Sequence, residues 1–289
     1  MLTVSLGLIA APPSSLTVAK RLLPRPGQLD RYVQVAAHPD DDLLFMSPDL
    51  FGPLAHGGSS VTIVLTSGES KAGLDDRHDP HVYAAERENG LKAAYAWLAG
   101  VRDVWRSSEI DAAGVPVQLE ELAARPSVRL VFMGLHDGGD PRAEGGRFAL
   151  SRIESAGACV RRFAPGLDGC LDRSRLIAML GSLYARFRPT VLRTLDPYPP
   201  VRPADHFDHT SSARLAAAAV AAARLRLRVL TYRGYSTTNL PANVMGAMRE
   251  LKRKAFDIYR SHDYRLRYGH RYRSWIGRMY SGQAPQPTG

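Results

Sequence analysis

Short apolar runs alternate along the chain with longer stretches in which apolar residues recur at helical spacing. The apolar runs predict buried strands at residues 32–36, 61–65, 129–133, 190–194 and 228–232. Helical periodicity predicts helices at residues 81–99, 174–187 and 210–224, and residues 43–55 fit either a helix or an irregular segment. Strands that alternate with helices of this length are typical of βαβ units. The pattern therefore predicts an α/β fold, with a mostly parallel sheet covered by helices on both faces, in a single domain with long loops.

The domain organisation follows from where this alternation begins and ends. We predict an N-terminal arm at residues 1–29, the α/β domain at residues 30–245, and a C-terminal segment at residues 246–289 that packs on or extends the same domain. Residues 138–172 form a Gly- and Arg-rich insertion with weak periodicity. Residues 1–11 are apolar but lack a basic start, so they fit either the remnant of a signal peptide or a loose arm.

The composition is globular, with 45% hydrophobic and 23% charged residues in a chain of 289. It excludes a disordered tail, a coiled coil and a collagen-like chain. No apolar run reaches about 18 residues, so a membrane-spanning helix is not expected. The 38 Lys and Arg residues outnumber the 28 Asp and Glu residues, and the net charge is +10. This charge favours anionic partners, although an arginine-rich composition produces it without any such partner.

The two cysteines, Cys159 and Cys170, are close enough in sequence to form a bridge. A bridge would indicate an oxidising compartment, whereas two thiols are equally compatible with the cytoplasm. We expect a cytoplasmic protein, with secretion as the alternative. The sequence leaves the oligomeric state open.

Four segments with reactive side chains follow predicted strands directly. They are residues 38–42, 66–69, 134–138 and 194–209. In an open parallel sheet, the carboxyl ends of the strands lie at one edge, and ligands bind in the crevice there. We therefore expect these segments to converge although they are far apart in sequence.

The turn after the first strand carries an imidazole and neighbouring carboxylates. His38 and Asp41 are candidates to bind a divalent cation together, which leaves Asp40 free, and His209 is a candidate third ligand. Two nitrogens and one carboxylate suit zinc and leave a coordination position for water. Such a water ionises near neutral pH, and Asp40 can take its proton. The constellation predicts metal-assisted hydrolysis of an amide.

The segment before the helix at residue 210 supplies further candidates. His206 can lie at the rim of the site, where it would stabilise an oxyanion or protonate the leaving amine. Asp208 or Asp205 can hold His206 or His209 in the required tautomer. Each segment alone also has an ordinary explanation, since His-Pro-Asp is a common turn, Asp caps helices, and the histidines fit a solvated surface. Their joint occurrence after strands favours a site.

These residues resemble the PIG-L (LmbE-like) superfamily of zinc-dependent de-N-acetylases. The resemblance rests on Ala37-His-Pro-Asp-Asp41 after the first strand and on His206-Phe-Asp-His209. It implies a Rossmann-like sheet, removal of the acetyl group from N-acetylglucosamine-type sugars, and zinc as the metal. We expect one Zn²⁺ per chain, and another divalent ion such as iron(II) is the alternative, because it can occupy the same ligands. It further implies His38, Asp41 and His209 as zinc ligands, Asp40 as general base, and His206 as oxyanion stabiliser or general acid.

Other segments are similar to the family more loosely. Residues 66–69 resemble its loop after the second strand, and residues 135–138 resemble a loop whose aspartate binds sugar hydroxyls, which makes Asp137 a candidate substrate-binding residue. Arg87 resembles an arginine that reaches substrate, although a structural ion pair explains it equally well.

A narrower resemblance concerns the substrate. Residues 40–45, 193–197 and 205–210 are similar to actinomycete members, including deacetylases of N-acetylglucosaminyl teicoplanin-type glycopeptide pseudoaglycones. We therefore favour an antibiotic-tailoring role on such a small-molecule glycoconjugate. An inositol conjugate and an envelope glycan are the alternatives.

The C-terminal segment is basic and aromatic. Residues 249–278 hold ten Arg or Lys residues against three acids, with four tyrosines and Trp275 interleaved. Such a strip can bind single-stranded nucleic acid or lie on an anionic membrane. It can also pack its aromatic rings on the sheet and solvate its charges, or help to wall a bulky aromatic substrate together with residues 197–203. We favour packing, do not expect a nucleic-acid partner, and leave peripheral membrane contact open.

The rival functional class is therefore a basic nucleic-acid- or membrane-binding protein with incidental histidines. It differs from the enzyme in a simple way, because only the enzyme requires about one zinc per chain and loses its activity on chelation.

Overall fold

A seven-stranded sheet forms the centre of the protein. The computed structural model describes residues 15–138, 146, 148–155, 157–163, 169–200, 204–268 and 272–283. The strands are β1 (Arg31–Ala36), β2 (Ser59–Thr66), β3 (Trp105–Asp111), β4 (Pro116–Leu122), β5 (Val128–Leu135), β6 (Val191–Leu195) and β7 (Arg228–Tyr232). Their order in the sheet is β3-β4-β5-β2-β1-β6-β7.

The sheet is mostly parallel, which confirms the predicted fold class. β1 pairs in parallel with β2 on one side and with β6 on the other, and β5 and β7 extend the two parallel flanks. These five strands are the five that the sequence predicts, and their bounds agree within two residues. Of the seven strands in the described residues, β3 and β4 were not predicted, and they form an antiparallel hairpin at one edge, paired to β5 through β4.

Helices cover both faces. They are α1 (Ser15–Leu22), α2 (Asp41–Phe45), α3 (Phe51–His56), α4 (Pro80–Ala99), α5 (Arg173–Phe187), α6 (Phe207–Ala222), α7 (Gly246–His262) and α8 (Arg273–Ile276). One core cluster joins α2, α3, α4 and α7 to the sheet, and a second joins α5 and α6 to its other face. Side chains on β2 alternate between the two, since Val64 belongs to the first cluster and Ile63 to the second. This alternation is the period-two pattern of a strand buried on both faces.

The ends of the long helices are set by local chemistry. The Asp79 carboxylate accepts hydrogen bonds from the backbone N–H groups of His81 and Val82, and Pro80 occupies the first turn of α4. Gly100, in the left-handed conformation with φ 70°, ends that helix. α6 begins at Phe207, three residues before the predicted start, because the His206 ring caps it by accepting from the Asp208 N–H.

The chain reverses its direction across the sheet at β1. From β1 it runs outward through β2 to β5, and then returns to place β6 on the opposite side of β1. The connections after β1 and β6 therefore run to opposite sides of the sheet from neighbouring strands. In α/β sheets such a switch point is where ligands bind.

The segments outside the predicted α/β domain contact it. α7 of the C-terminal segment lies against α4, and residues Leu251, Ala255 and Phe256 join the core. The arm contains α1, whereas residues 1–14, with the candidate signal remnant, lie outside the described residues. Across the described part of the chain, no helix combines the length and the apolar character needed to cross a membrane.

The insertion is closed by a disulfide. Cys159 and Cys170 are bonded, with Cα atoms 5.3 Å apart, and Val160 and Leu171 pair beside them as an isolated bridge. Of the two alternatives that the sequence leaves open, the structure has the bridge. Residues 139–145, 147, 156 and 164–168 of the insertion lie outside the described part.

Candidate metal centre

The backbone of the turn after β1 holds the Asp41 carboxylate in place. The His38 carbonyl accepts hydrogen bonds from the N–H groups of Asp40 (2.9 Å) and Asp41 (3.4 Å), and α2 then begins at Asp41. The His38 N–H in turn donates to Asp41 Oδ2 at 2.7 Å. Pro39 has no N–H and a fixed φ, which stiffens this turn. The Asp41 side chain is thereby oriented before any ligand binds.

The structure brings the three predicted metal ligands together. Asp41 Oδ2 lies 3.2 Å from His38 Nδ1, and Asp41 Oδ1 lies 3.0 Å from His209 Nε2. His38, Asp41 and His209 are 5%, 1% and 0% exposed. Ligands about 2.0–2.1 Å from a tetrahedral zinc are about 3.3 Å apart, so each separation has the expected size. The two separations involve different oxygens of Asp41, however, and the ligand atoms that lie within 4.8 Å of one another join His38 and His209 to His206 rather than to Asp41.

Buried polar atoms without hydrogen bonds support a cation at this place. Among the described residues, His38 Nε2, His209 Nε2 and Asp208 Oδ1 are buried and make no hydrogen bond. Groups of this kind are normally satisfied, and a metal ion satisfies a nitrogen lone pair or a carboxylate oxygen. The donor set of imidazoles and carboxylates therefore fits a divalent ion.

The electrostatics of the cluster indicate the same requirement. Burial alone would raise the pKa of the Asp41 carboxyl. The nearby His209 and His38 have the larger effect, and they hold its pKa well below the usual range. Burial lowers the pKa of His209, but Asp41 and Asp205 raise it more strongly, so that the pKa of His209 is about 9. The buried Asp41 carboxylate is thus stabilised by positive charge on the two imidazoles, and a divalent cation carries charge of the same sign.

More nitrogen and oxygen donors converge here than the three predicted ligands. Ligand atoms of His38, His206 and His209 lie within 4.8 Å of one another, and those of His38, Asp137, His206 and Asp208 do so as well. His206 is thus close enough to share in binding a cation, besides the oxyanion role predicted for it.

Asp205 orients His209. Its Oδ1 lies 2.8 Å from His209 Nδ1, and the same carboxylate accepts from the backbone N–H groups of His206, Gly234 and Tyr235. A carboxylate that holds one imidazole nitrogen fixes the tautomer that offers the other to a metal. Of the two aspartates considered for this task, Asp205 therefore serves His209.

Asp208, the predicted orienting residue, faces the other histidines. It is fully buried, and its Oδ2 lies 3.4 Å from His38 Nε2 and 3.9 Å from His206 Nδ1. The Gly138 N–H donates to the same oxygen at 2.7 Å, and a Cβ at Gly138 would lie 2.7 Å from Asp208 Oδ1. The glycine therefore allows the loop after β5 to approach α6 closely.

The candidate base, Asp40, pairs with Arg87. Arg87 Nη2 donates to Asp40 Oδ1 at 2.7 Å, and Nη1 donates to the Gly68 carbonyl at 2.7 Å. Burial raises the pKa of Asp40, and Arg87 lowers it in part. Of the two explanations offered for Arg87, substrate contact or an ion pair, the structure shows the ion pair, with the arginine 6% exposed.

Glu69 holds the loop that carries Asp137. Its Oε1 accepts from the Asp137 N–H and lies 2.9 Å from His136 Nδ1. Asp137 Oδ1 lies 3.7 Å from His38 Nε2, so the predicted sugar-binding carboxylate borders the candidate metal site. The sequence places Glu69 after β2, but it does not predict this bracing contact.

His206 lies at the rim and is the most exposed of the three histidines, with its side chain 25% accessible. Its Nδ1 accepts from the Asp208 N–H at 3.2 Å, which leaves the ring proton on Nε2. Burial, together with His38 and His209, lowers its pKa to about 4. The ring is therefore neutral near pH 7 and suits a hydrogen-bond donor better than an acid.

The aromatic ring of Tyr235 lies beside His209, and Trp275 from the C-terminal segment packs on Tyr235. Tyr235 is 4.9 Å from the His209 ring by centroids, and Trp275 is 4.9 Å from Tyr235. Phe45 contacts both Tyr235 and Trp275. Residues 201–203 of the loop expected to share in this wall lie outside the described residues.

Comparison with known proteins identifies a family model that fits this chain. The model described as PIG-L, GlcNAc-PI de-N-acetylase, matches residues 33–220, which include every candidate ligand. No curated protein sequence matches the chain.

Solved structures with similarity to the chain include several deacetylases. An N,N'-diacetylchitobiose deacetylase from Pyrococcus horikoshii, in complex with an inhibitor, is 17% identical over 85% of this chain and 75% of that one, with a TM-score of 0.49. A triple mutant of a deacetylase of the teicoplanin biosynthetic pathway is 14% identical over 85% and 88%, with a TM-score of 0.48. An antimicrobial pseudoaglycone deacetylase is 15% identical over 84% and 86%, with a TM-score of 0.44. Similarity at this level carries no argument about the substrate of this chain.

Proposed function

The chain belongs to the PIG-L family of GlcNAc-PI de-N-acetylases, and from this premise we propose that it is a metal-dependent hydrolase of an N-acetylglucosamine-type sugar. The reaction cleaves the acetamide by water and yields acetate and the free amine. The observation that carries the proposal is the contact of Asp41 with both His38 and His209 in a buried cluster where Nε2 of each of these two histidines makes no hydrogen bond.

The residues that would hold the ion are His38, Asp41 and His209, with one zinc per chain. When bound, zinc supplies Lewis acidity that polarises the acetamide carbonyl and makes water acidic enough to lose a proton near neutral pH. Asp205 keeps the His209 ring in the orientation that this binding requires.

Asp40 serves as the general base. Its Oδ1 accepts from Arg87, so we assign Oδ2 to take the proton from the attacking water. As the water oxygen bonds to the acetyl carbon and the C–N bond breaks, Asp40 returns this proton to the leaving nitrogen. The two proton transfers leave the enzyme unchanged.

The other polar groups bind and stabilise. His206, neutral and protonated at Nε2, donates to the oxygen on which negative charge develops. Asp137, held by Glu69 beside His38, accepts hydrogen bonds from sugar hydroxyls.

For the substrate, we favour an N-acetylglucosaminyl glycopeptide pseudoaglycone over an inositol conjugate or an envelope glycan. The motif resemblance supports this choice, as does the partly exposed aromatic group of Tyr235, Tyr272 and Trp275 beside His209, which suits a bulky aglycone. In the segment that bears Trp275, Tyr259 is fully buried and serves packing, whereas Tyr268 is exposed, and we propose no nucleic-acid partner.

A substrate panel tests the proposal. Zinc-loaded protein is incubated with a free N-acetylated sugar, an inositol conjugate and a glycopeptide, and each product is analysed by mass for loss of one acetyl group. The glycopeptide should lose its acetyl group fastest, and chelation should stop the reaction. Zinc-loaded protein that deacetylates none of the three would contradict the proposed function.

A further inference from the structure

Arg87 is held in one orientation by groups from three parts of the chain. Besides Asp40 and the Gly68 carbonyl, its Nε donates to the Tyr259 hydroxyl at 2.8 Å. Each nitrogen of the planar guanidinium thus has a partner, and the side chain is buried. A guanidinium that is hydrogen-bonded at all three nitrogens is held in a single orientation, whereas one or two bonds would leave it free to rotate.

The contact continues from Tyr259 to Asp263. The Tyr259 hydroxyl lies 3.3 Å from Asp263 Oδ2, which it reaches as donor while it accepts from Arg87. The Tyr83 hydroxyl also donates to the Asp263 carboxylate, at 3.2 Å, and Asp263 Oδ2 lies 3.8 Å from Arg87 Nε. Tyr259 is fully buried and Asp263 is 1% exposed, so water does not compete for these bonds.

A glycine allows this approach. Gly90 lies one helical turn after Arg87 on α4, on the same face. A Cβ at Gly90 would lie 2.7 Å from the Tyr259 carbonyl oxygen and 3.0 Å from its ring. The close contact of α7 with α4, which delivers the Tyr259 hydroxyl to Arg87, therefore requires the absence of a side chain at this position.

We propose that Tyr259 and Asp263 are positioning residues for the deacetylation, because they orient Arg87 and through it the Asp40 carboxylate. This inference rests on the proposed function, and both residues lie beyond the segment 33–220 that the family model matches. A base that is rotated away from its water by a fraction of an ångström transfers protons more slowly, although substrate and metal bind as before.

The test variant is Tyr259→Phe, which removes the hydroxyl and keeps the ring. Its matched control is Tyr184→Phe, a fully buried tyrosine on the opposite face of the sheet. We expect kcat to fall about tenfold in Tyr259→Phe, with KM and zinc content unchanged, and to stay at the wild-type value in the control. In an Arg87→Met background, Tyr259→Phe should cause no further loss.

A second variant, Gly90→Ala, keeps the Tyr259 hydroxyl but displaces the Tyr259 backbone, and with it the hydroxyl, away from Arg87. It should also lower kcat. A kcat of Tyr259→Phe equal to that of the control, or a full additional loss in the Arg87→Met background, overturns the inference while the proposed function stands.

Wild-type protein that releases no acetate from the panel would instead refute the proposed function. The part of the inference that does not depend on the reaction, the orientation of Arg87 and Asp40 by Tyr259 and Asp263, is then decided by crystal structures of the zinc-loaded Tyr259→Phe/Asp263→Asn double variant. Separation of Arg87 Nη2 from Asp40 Oδ1 beyond hydrogen-bonding distance supports it, and retention of the 2.7 Å contact overturns it.

Discussion

Asp205 Oδ1 lies 2.8 Å from His209 Nδ1, and the opposite nitrogen of that ring lies 3.0 Å from Asp41. The imidazole is therefore fixed between a carboxylate that orients it and the candidate metal position. Because Asp205 also accepts three backbone N–H groups, its own position is determined by the loop after β6 and by the chain that follows β7.

The first prediction concerns this orienting carboxylate. Asp205→Asn should weaken zinc affinity about 10–100-fold, because the amide no longer fixes the tautomer of His209. Competition with a chromophoric chelator measures the affinity directly. Asp172→Asn is the control, since Asp172 accepts a backbone N–H at the start of α5 on the exposed surface. Equal zinc affinity in the two variants would show that Asp205 has no part in metal binding.

The second prediction separates the metal ligand from the base. His209→Ala should lose zinc and activity together, whereas Asp40→Asn should retain about one zinc per chain and lose roughly 10²–10⁴-fold in rate. Metal analysis of the purified variants, combined with an acetate-release assay, distinguishes the two roles. Asp40→Asn protein that still releases acetate at the wild-type rate would remove Asp40 from the mechanism.

The parallel strands were predictable because their apolar residues pack on both faces of the sheet, although β7 at the edge is only partly buried. β2 was expected at residues 61–65 and spans Ser59–Thr66, since a continuous apolar run marks such a strand. β3 carries no such run, because it lies at the sheet edge and only Ile110 of its seven residues is buried. Its pairing with β4 depends on backbone hydrogen bonds, which leave little trace in the sequence.

The candidate site likewise has a part that the sequence predicts and a part that it does not. His38, Asp41 and His209 could be selected because they follow strands whose ends meet, and this requires only the topology of the sheet. The hydrogen bonds of Arg87 to Tyr259 and of Glu69 to Asp137 depend on how α7 packs on α4 and how two loops meet. Such contacts arise from tertiary packing, and no local pattern predicts them.

The third prediction concerns the disulfide. Loss of the Cys159–Cys170 bond in the Cys159→Ala/Cys170→Ala variant should lower the free energy of unfolding by about 3 kcal/mol, because the unfolded chain regains the entropy of the loop. Denaturant titration of wild type and variant measures the difference. Thiol titration of unfolded, unreduced wild type should detect no free cysteine, and two reactive thiols would show that the bond does not form.

The last prediction concerns a buried lysine in α7. Lys252 is fully buried, and its Nζ donates to the carbonyls of Leu44 (2.6 Å), Ser47 (3.2 Å) and Arg278 (2.6 Å). Burial lowers the pKa of Lys252 to about 7, against about 10.4 in an unfolded chain. Between these two values the unfolded chain binds a proton that the folded protein does not, and the neutral amine of the folded protein can donate to two of the three carbonyls at a time.

The contribution of Lys252 to the free energy of unfolding therefore increases as pH rises from about 7 toward 10.4. It is lost as pH falls through the folded pKa. The free energy of unfolding changes by at most about 1.4 kcal/mol per pH unit in this range. Lys252→Met removes this dependence along with the carbonyl contacts, so the variant is less stable at high pH and its deficit should shrink toward pH 7. Denaturant titrations of both proteins across this range measure the deficit at each pH. A deficit that stays constant across this range would show that the lysine keeps its ordinary pKa. The three carbonyl oxygens would then fully replace the water around a charged ammonium.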